Sequence, residues 1–270
     1  MPESLQDLEA MVEQVRKLEK YRHISPDLIR SLLQSELSKR SHPKEAIKAT
    51  RSKLHQVGTA YLENSPPYAA WQNTMATLPA NLADPAVRSY LLSLLPAHAS
   101  TRERLPILPD FYRTCLAGLE NIRSVLDVAC GLTPLTLPWM PVQPGFTYTA
   151  CDIFTDLIDF LQSFFEHFEI NGHAIVADVL REFPPVHADL TLLLKTIPCL
   201  EQIDKDAGRR LLYEIPSPYL LVSFPVRSLG GHSKGMAKFY EQHFFELIQG
   251  QPWQITRFEF PGELVFRIHK

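Results

Sequence analysis

Three aspartates and a lysine recur at the ends of apolar runs in this chain: Asp127 in LDVACGLTPLTL, Asp152 in CDI, Asp178 in ADVL and Lys195 in LLLKTIPCLE. In open α/β sheets, ligands bind beyond the carboxyl ends of the strands. Asp152 follows Asp127 by about 25 residues, and an acid there, at the end of a second strand, commonly receives a ribose diol. Asp178, at the end of the third, suits an adenine amino group, and Gly131 lets the backbone approach a ligand closely. Each signal is weak alone: a glycine after a strand is often a turn, and Asp178 also reads as a helix cap. Their order at successive strand ends is more specific. The sequence has no GxGxxG and no GxxxxGK[ST], which argues against a dinucleotide and a P-loop nucleotide. S-adenosylmethionine (SAM), with a ribose and an adenine but no phosphate, fits the set better.

A second group of residues invites an anion. In VSFPVRSLGGHSKGM (222–236) an apolar run ends in proline and passes into a glycine-rich segment carrying Arg227 and Lys234. Farther upstream, Arg40, Lys44, Lys48, Arg51 and His55 recur every three or four residues, which aligns them along one side of a helix. Ile47, Thr50, Leu54, Val57 and Tyr61 take another side and read as core-facing. Residues 16–55 hold eleven Lys+Arg against four Asp+Glu, within a chain of net charge −3. One basic segment in an acidic chain points to a localised anionic partner, although a solvated helical face has the same composition.

The elements that position these residues follow from periodicity. The first hundred residues predict helices over 4–20, 26–38 (Ser25 as N-cap, Pro26 in the first turn), about 43–61 and 84–95, with 63–81 as a proline-rich connection. From about residue 106, apolar strands at 124–129, 146–152, 173–178, 189–194 and 219–224 alternate with helices near 155–168, 201–213 and 236–249. This alternation predicts a parallel, doubly wound sheet. Strands at 253–260 and 263–270, joined by Pro261-Gly262, form a closing hairpin. A mostly parallel seven-stranded, Rossmann-like sheet with a C-terminal antiparallel hairpin is the class I SAM-dependent methyltransferase arrangement. It divides the chain into a helical N-terminal subdomain (1–97) and a SAM-binding domain (98–270).

Composition sets the outer limits. With 45% hydrophobic and 21% charged residues, the chain reads as an ordinary globular protein. No apolar run approaches a membrane span, and the polar, acidic N-terminus is unlike a signal peptide, so a cytoplasmic location and no membrane partner are expected. Cys115, Cys130, Cys151 and Cys199 form no CxxC pair, so reduced thiols and no metal site are expected.

The chain resembles the aminoglycoside-resistance 16S rRNA (guanine-1405 N7) methyltransferases, the Arm/Rmt group. The resemblance lies in KATRSKLHQVGTAY (48–61), HASTRER (98–104), LDVACGLTPLTL (126–137), CDI, DVL, LLLKTIPCLE and VSFPVRSLGGHSKGM. These segments follow the family's order from about residue 20 to the C-terminus. Thr133 stands where the family pattern has asparagine, and His232-Ser233 replaces a more basic pair. The resemblance implies SAM held by Ala129, Gly131, Asp152, Ile153, Asp178 and Val179, with Arg104, or as second choice Arg102, on its methionyl carboxylate. It implies that Lys195, Arg227 and Met236 act at the target base, with Arg227 on phosphate. It also implies that Arg40, Lys44, Lys48, Arg51, Lys53 and Lys234 contact RNA. The implied partner is the assembled 30S subunit at the decoding-site helix of 16S rRNA, with no DNA, bound by a monomer. Guanine N7 carries a lone pair and no proton, so its methylation needs positioning rather than a general base. This agrees with the absence of a convincing His–Asp or Cys–His pair. Two other readings stay open: a methyltransferase of this architecture acting on another RNA site or a small molecule, and a non-catalytic RNA-binding protein with a relict SAM fold.

Overall fold

A computed structural model of the chain describes residues 5–40, 42–58, 61–62, 65–226 and 235–270. Three amphipathic helices come first: α1 (Leu5–Arg16), α2 (Pro26–Leu37) and α3 (Pro43–Val57). Their apolar stripes meet in a core of their own, where Val12, Val15, Ile29, Leu33 and Leu54 have no exposed surface. Burying each such side chain contributes roughly 1.5–3 kcal/mol. Proline occupies the first turn of α2 and of α3, where its missing N–H leaves no helical bond unmade. The expected cap is different: Ser25 stands at the N-cap, but its hydroxyl makes no capping bond. Its N–H instead donates to the Ile153 carbonyl at 2.8 Å, and the N–H of Thr155 donates to the His23 carbonyl at 2.7 Å. The helical unit is therefore sewn to the loop after the second strand.

Two shorter helices, α4 (Tyr68–Met75) and α5 (Pro85–Leu94), lead to α6 (Ala99–Arg104) and α7 (Leu108–Cys115). The proline-rich connection expected over 63–81 thus carries a helix of its own, α4. Tyr68, Trp71 and Met75, spaced at three and four, turn one face of α4 onto Phe160 and its neighbours. Packing draws a line of its own. Residues of α4 and α5 share the sheet's core, whereas α1–α3 do not. The helix bearing the basic stripe ends at Val57, a turn earlier than expected.

The described residues form a seven-stranded sheet. Its strands are β1 (Ser124–Val128), β2 (Thr147–Asp152), β3 (Gly172–Val176), β4 (Leu190–Leu194), β5 (Tyr219–Pro225), β6 (Gln254–Phe260) and β7 (Glu263–His269), in the order β3-β2-β1-β4-β5-β7-β6. Only β7 runs against the other six. The turn between β6 and β7 is Pro261-Gly262, with Gly262 at φ +93°. This is the class I methyltransferase arrangement that the alternation predicted. Alternate side chains leave opposite faces. Val125, Tyr148 and Leu192 pack under α7 and α8 (Thr155–His167). Leu126, Val128 and Leu193 pack under α10 (Ala207–Glu214) and α11 (Met236–Leu247), with the short α9 (Ile197–Leu200) between β4 and α10. The helix expected over 201–213 is found only as α10; residues 201–206 are turns, and α9 precedes the expected start. All four cysteines are free thiols. None of the described helices is long and apolar enough to cross a membrane.

Candidate active site: a cofactor cleft at the strand ends

A cleft opens where β1, β2 and β4 end. Its walls include Ala129, Asp152, Ile153, Asp178, Val179, Lys195 and Met236 among the expected residues. Leu28, Val57, Gly58 and Tyr61 close it from the helical unit. His98, Glu103, Cys199 and Tyr240, none of them a site residue expected from the sequence, also line it.

The backbone at two strand ends is strained. Ala129 after β1 has φ +52° and Lys195 after β4 has φ +60°. A left-handed conformation costs a residue with a Cβ about 1–2 kcal/mol and persists where the surroundings impose it, often at functional sites. Gly131 also lies at φ +50°, and a Cβ there would meet the His98 ring at 3.1 Å. Only glycine lets the β1 loop and α6 approach so closely. His98 itself stacks on Tyr61, and its Nδ1 lies 2.9 Å from the Ser100 hydroxyl. Burial, reinforced by Arg104, Lys195 and Arg102, depresses its imidazole to about 4, so it is neutral at pH 7.

Asp152 is held in one orientation. The N–H of Gly131 donates to Oδ2 at 2.9 Å, and the N–H of Ile153 donates to Oδ1 at 2.7 Å. Burial holds this carboxyl above its ordinary value, and those N–H groups offset only part of that rise. A carboxylate has about four acceptor sites, so two firm bonds leave capacity for a diol. Asp178 is half-buried, and its Oδ1 accepts the Leu180 N–H at 3.1 Å. It caps its own turn and also faces the cleft beside Ala177 and Val179.

Arg104 is already engaged by a carboxylate of the protein. Fully buried, it does not line the cleft; its Nη2 donates to Glu263 Oε1 at 2.6 Å and its Nε to Oε2 at 3.1 Å. The guanidinium sits over the Phe111 ring at 4.8 Å. Nη1 is buried without a partner among the described residues. A buried unmet donor costs about 1–3 kcal/mol, so this nitrogen retains unused donor capacity. Lys195 joins the same network: Nζ reaches Glu103 at 2.7 Å and Glu263 at 3.6 Å. Its ammonium is thus engaged inside the protein. Burial pushes Glu263 up, but Arg104 and Lys195 outweigh it and hold the carboxyl below its ordinary value.

Among the described residues of the cleft no activated nucleophile emerges. Cys199 lines the cleft, donates to the Lys195 carbonyl at 3.2 Å, and is pushed by burial up to about 11, which keeps the thiol protonated. The residues fit SAM: a buried acid, Asp152, and a half-buried one, Asp178, with spare acceptor capacity, apolar surface from Ala177, Val179 and Leu180, and a buried guanidinium nitrogen without an acceptor among the described residues. Arg227 and Lys234 lie outside the described residues. The sequence reading missed Glu263 and Glu103. Glu103 lies within HASTRER and was visible there. A lone acid opening an apolar strand, ELVFRIH, was the available signal for Glu263.

The basic stripe divides in two. Lys44 and Lys48 are exposed on α3. Arg40 and Lys53, with Lys39 more distant, instead surround the buried carboxylate of Glu36; Lys53 Nζ lies 2.8 Å from it. Arg51 Nη2 donates to the Gln14 carbonyl at 2.6 Å, tying α3 to α1.

Comparison with known proteins agrees with this geometry. Residues 17–267 match the family model described as ribosomal RNA methyltransferase (FmrO). A 16S rRNA (guanine(1405)-N(7))-methyltransferase of Micromonospora echinospora is 36% identical over 262 residues, covering 96% of both chains. One from Serratia marcescens is 36% identical over 83% of each chain. The crystal structure of the 16S rRNA methyltransferase RmtF with S-adenosyl-L-homocysteine superposes with a TM-score of 0.78 at 30% identity, covering 97% of this chain and 98% of that one. With the strand order, the cleft and a match along nearly its whole length in agreement, the chain belongs to the FmrO family of ribosomal RNA methyltransferases.

Proposed function

We propose that this chain methylates N7 of guanine 1405 of 16S rRNA in the assembled 30S subunit and so confers aminoglycoside resistance. The observation that carries the reading is the cleft, set at the strand ends of a chain that matches guanine-1405 N7-methyltransferases along almost its full length. SAM, when bound, supplies a methyl group on a positively charged sulfur. Asp152 would hold its ribose diol, and Asp178 with Val179 its adenine. Arg104 Nη1 would take the methionyl carboxylate. An Arg–carboxylate contact of this kind is charge-assisted and geometry-specific.

The protein's own part is positioning. N7 has no proton to lose, and the cleft offers a neutral His98 and a protonated Cys199 rather than a poised base. Met236, at the start of α11, lines the cleft and would press on the target base. Lys195, held by Glu103, shapes the site from within. Exposed Lys44 and Lys48 on α3 would meet RNA phosphates, as RNA helices are read largely through shape and backbone. Because α3 ends at Val57 on the cleft wall, docking surface and cofactor site share one rigid element. The enzyme would work as a monomer in the cytoplasm, where its ribosomal substrate is.

The test is methyl transfer from labelled SAM to purified 30S subunits, with the product mapped by cleavage at N7-methylguanine. A single mark at 1405 is the expected result. Proven SAM binding with no transfer to 30S would redirect the reading to another RNA or a small molecule.

A further inference from the structure

Among the exposed large hydrophobic side chains of the described residues, Phe239 stands out at 64% exposure. Lone exposed hydrophobics are ordinary on protein surfaces. Two features set this one apart. The first is its place. Phe239 lies one turn beyond Met236 and beside Tyr240 on α11, and both of those residues line the cofactor cleft. It therefore stands on the rim over which a substrate base must enter. The second is its rigidity. The ring stacks on His243, with centroids 6.1 Å apart and planes 9° from parallel, and meets Tyr240 edge-on at 5.2 Å. His243 is fixed in turn, its Nε2 lying 2.8 Å from the largely buried Glu201. An aromatic ring supported on one side and open to solvent on the other is preorganised to stack, so little ordering is lost on contact.

The surrounding charge suits a nucleotide. Lys238, next in the chain, is exposed. Glu241, two residues after Phe239, is engaged by Arg257 at 2.8 Å and adds little repulsion. We infer that Phe239 is a positioning residue, a platform on which a base neighbouring the target guanine stacks while the target enters the cleft. The inference rests on the RNA reading above and adds to it a specific contact to the substrate. Stacking of a base on an aromatic side chain is sequence-tolerant and responds strongly to alanine substitution.

The experiment uses the full chain and intact 30S subunits. Phe239→Ala, Phe239→Leu and Phe239→Trp are compared with wild type for KM toward 30S, kcat at saturating SAM, SAM affinity by calorimetry, and Tm. Alanine and leucine are expected to raise KM at least about fivefold. Tryptophan is expected to restore it, and SAM affinity and Tm should stay at wild-type values throughout. Leucine performing as well as tryptophan would overturn the proposal in favour of plain apolar contact. An unchanged KM in Phe239→Ala, or a loss that follows SAM affinity or Tm, would overturn it as well. In either case wild-type methylation would leave the RNA reading standing. A wild-type enzyme that leaves no N7 mark on 30S would remove that reading, and the platform with it.

Discussion

Arg104 on α6 and Glu263 on β7 stand 159 residues apart in sequence and form a fully buried ion pair at 2.6 Å. The pair fastens the helix that borders the cleft to the strand that completes the sheet. Lys195, 3.6 Å from Glu263 and 2.7 Å from Glu103, ties the end of β4 into the same knot. Removing one partner of a buried pair leaves the other charge uncompensated and costs about 3–5 kcal/mol. Glu263→Ala is therefore expected to destabilise the protein by that order. Urea unfolding measures it, and a loss below about 1 kcal/mol would show that the knot does not hold the fold.

Arg104→Lys separates stability from cofactor binding. The lysine keeps a positive charge for Glu263 but gives up the planar fork and with it the buried Nη1. Calorimetry should show SAM affinity falling at least about tenfold, the order of one lost charge-assisted bond. Unchanged affinity would leave Nη1 as an unmet donor and remove Arg104 from the cofactor site.

Asp152→Ala is expected to abolish measurable SAM binding. The substitution deletes the acceptor for the ribose, and it also frees the Gly131 and Ile153 N–H groups that fix the loops on either side. Wild-type-like affinity by calorimetry would sink the assignment of the cleft.

Most of the strands and the cleft acids were legible in the sequence for one physical reason. Buried parallel strands are short apolar runs, and a polar residue at their end is conspicuous. Asp152 and Asp178 show this. What the sequence concealed was the identity of partners across long separations. Nothing local in HASTRER or ELVFRIH pairs Arg104 with Glu263, because that contact is made by the closure of the sheet. Helix α4 was obscured by Pro66 and Pro67, which read as a linker, although Tyr68, Trp71 and Met75 follow a helical spacing. The basic stripe was visible as a stripe. Which of its members face solvent depends on Glu36, a buried acid on α2 that draws Arg40 and Lys53 inward.

That division predicts two different phenotypes on one helix. Lys44→Glu with Lys48→Glu changes exposed cations and should leave Tm and SAM affinity unchanged. Methylation of 30S should fall, with a shallower salt dependence of binding as phosphate contacts are lost. Arg51→Glu places a carboxylate where a guanidinium holds the Gln14 carbonyl, and should lower Tm as well. Full methylation by the double lysine variant would exclude this face as the docking surface.

Asp127 gives a pH signature to the fold. Its carboxyl is buried beneath the β1 loop, accepts the Tyr148 hydroxyl at 2.8 Å, and feels Arg104 and Asp152 nearby. Burial lifts it to about 7, with the Tyr148 bond and Arg104 acting in the opposite direction. In the unfolded chain it titrates near 3.9. Between about pH 4 and 7 the folded state therefore binds more protons than the unfolded state at this residue. Its contribution to stability must decline as pH rises through that window. His98, depressed to about 4, has the opposite slope: it costs stability as pH falls below about 6.5, because the unfolded imidazole takes up a proton that the folded one refuses. The wild-type profile mixes these two with other raised carboxyls such as Asp152, Asp178 and Glu201, so difference measurements are needed. Asp127→Asn keeps the shape and removes the titration. Urea unfolding from pH 4 to 8 should show this variant gaining relative to wild type as pH rises toward 7. A difference that stays flat across the window would mean that Asp127 remains ionised in the folded protein.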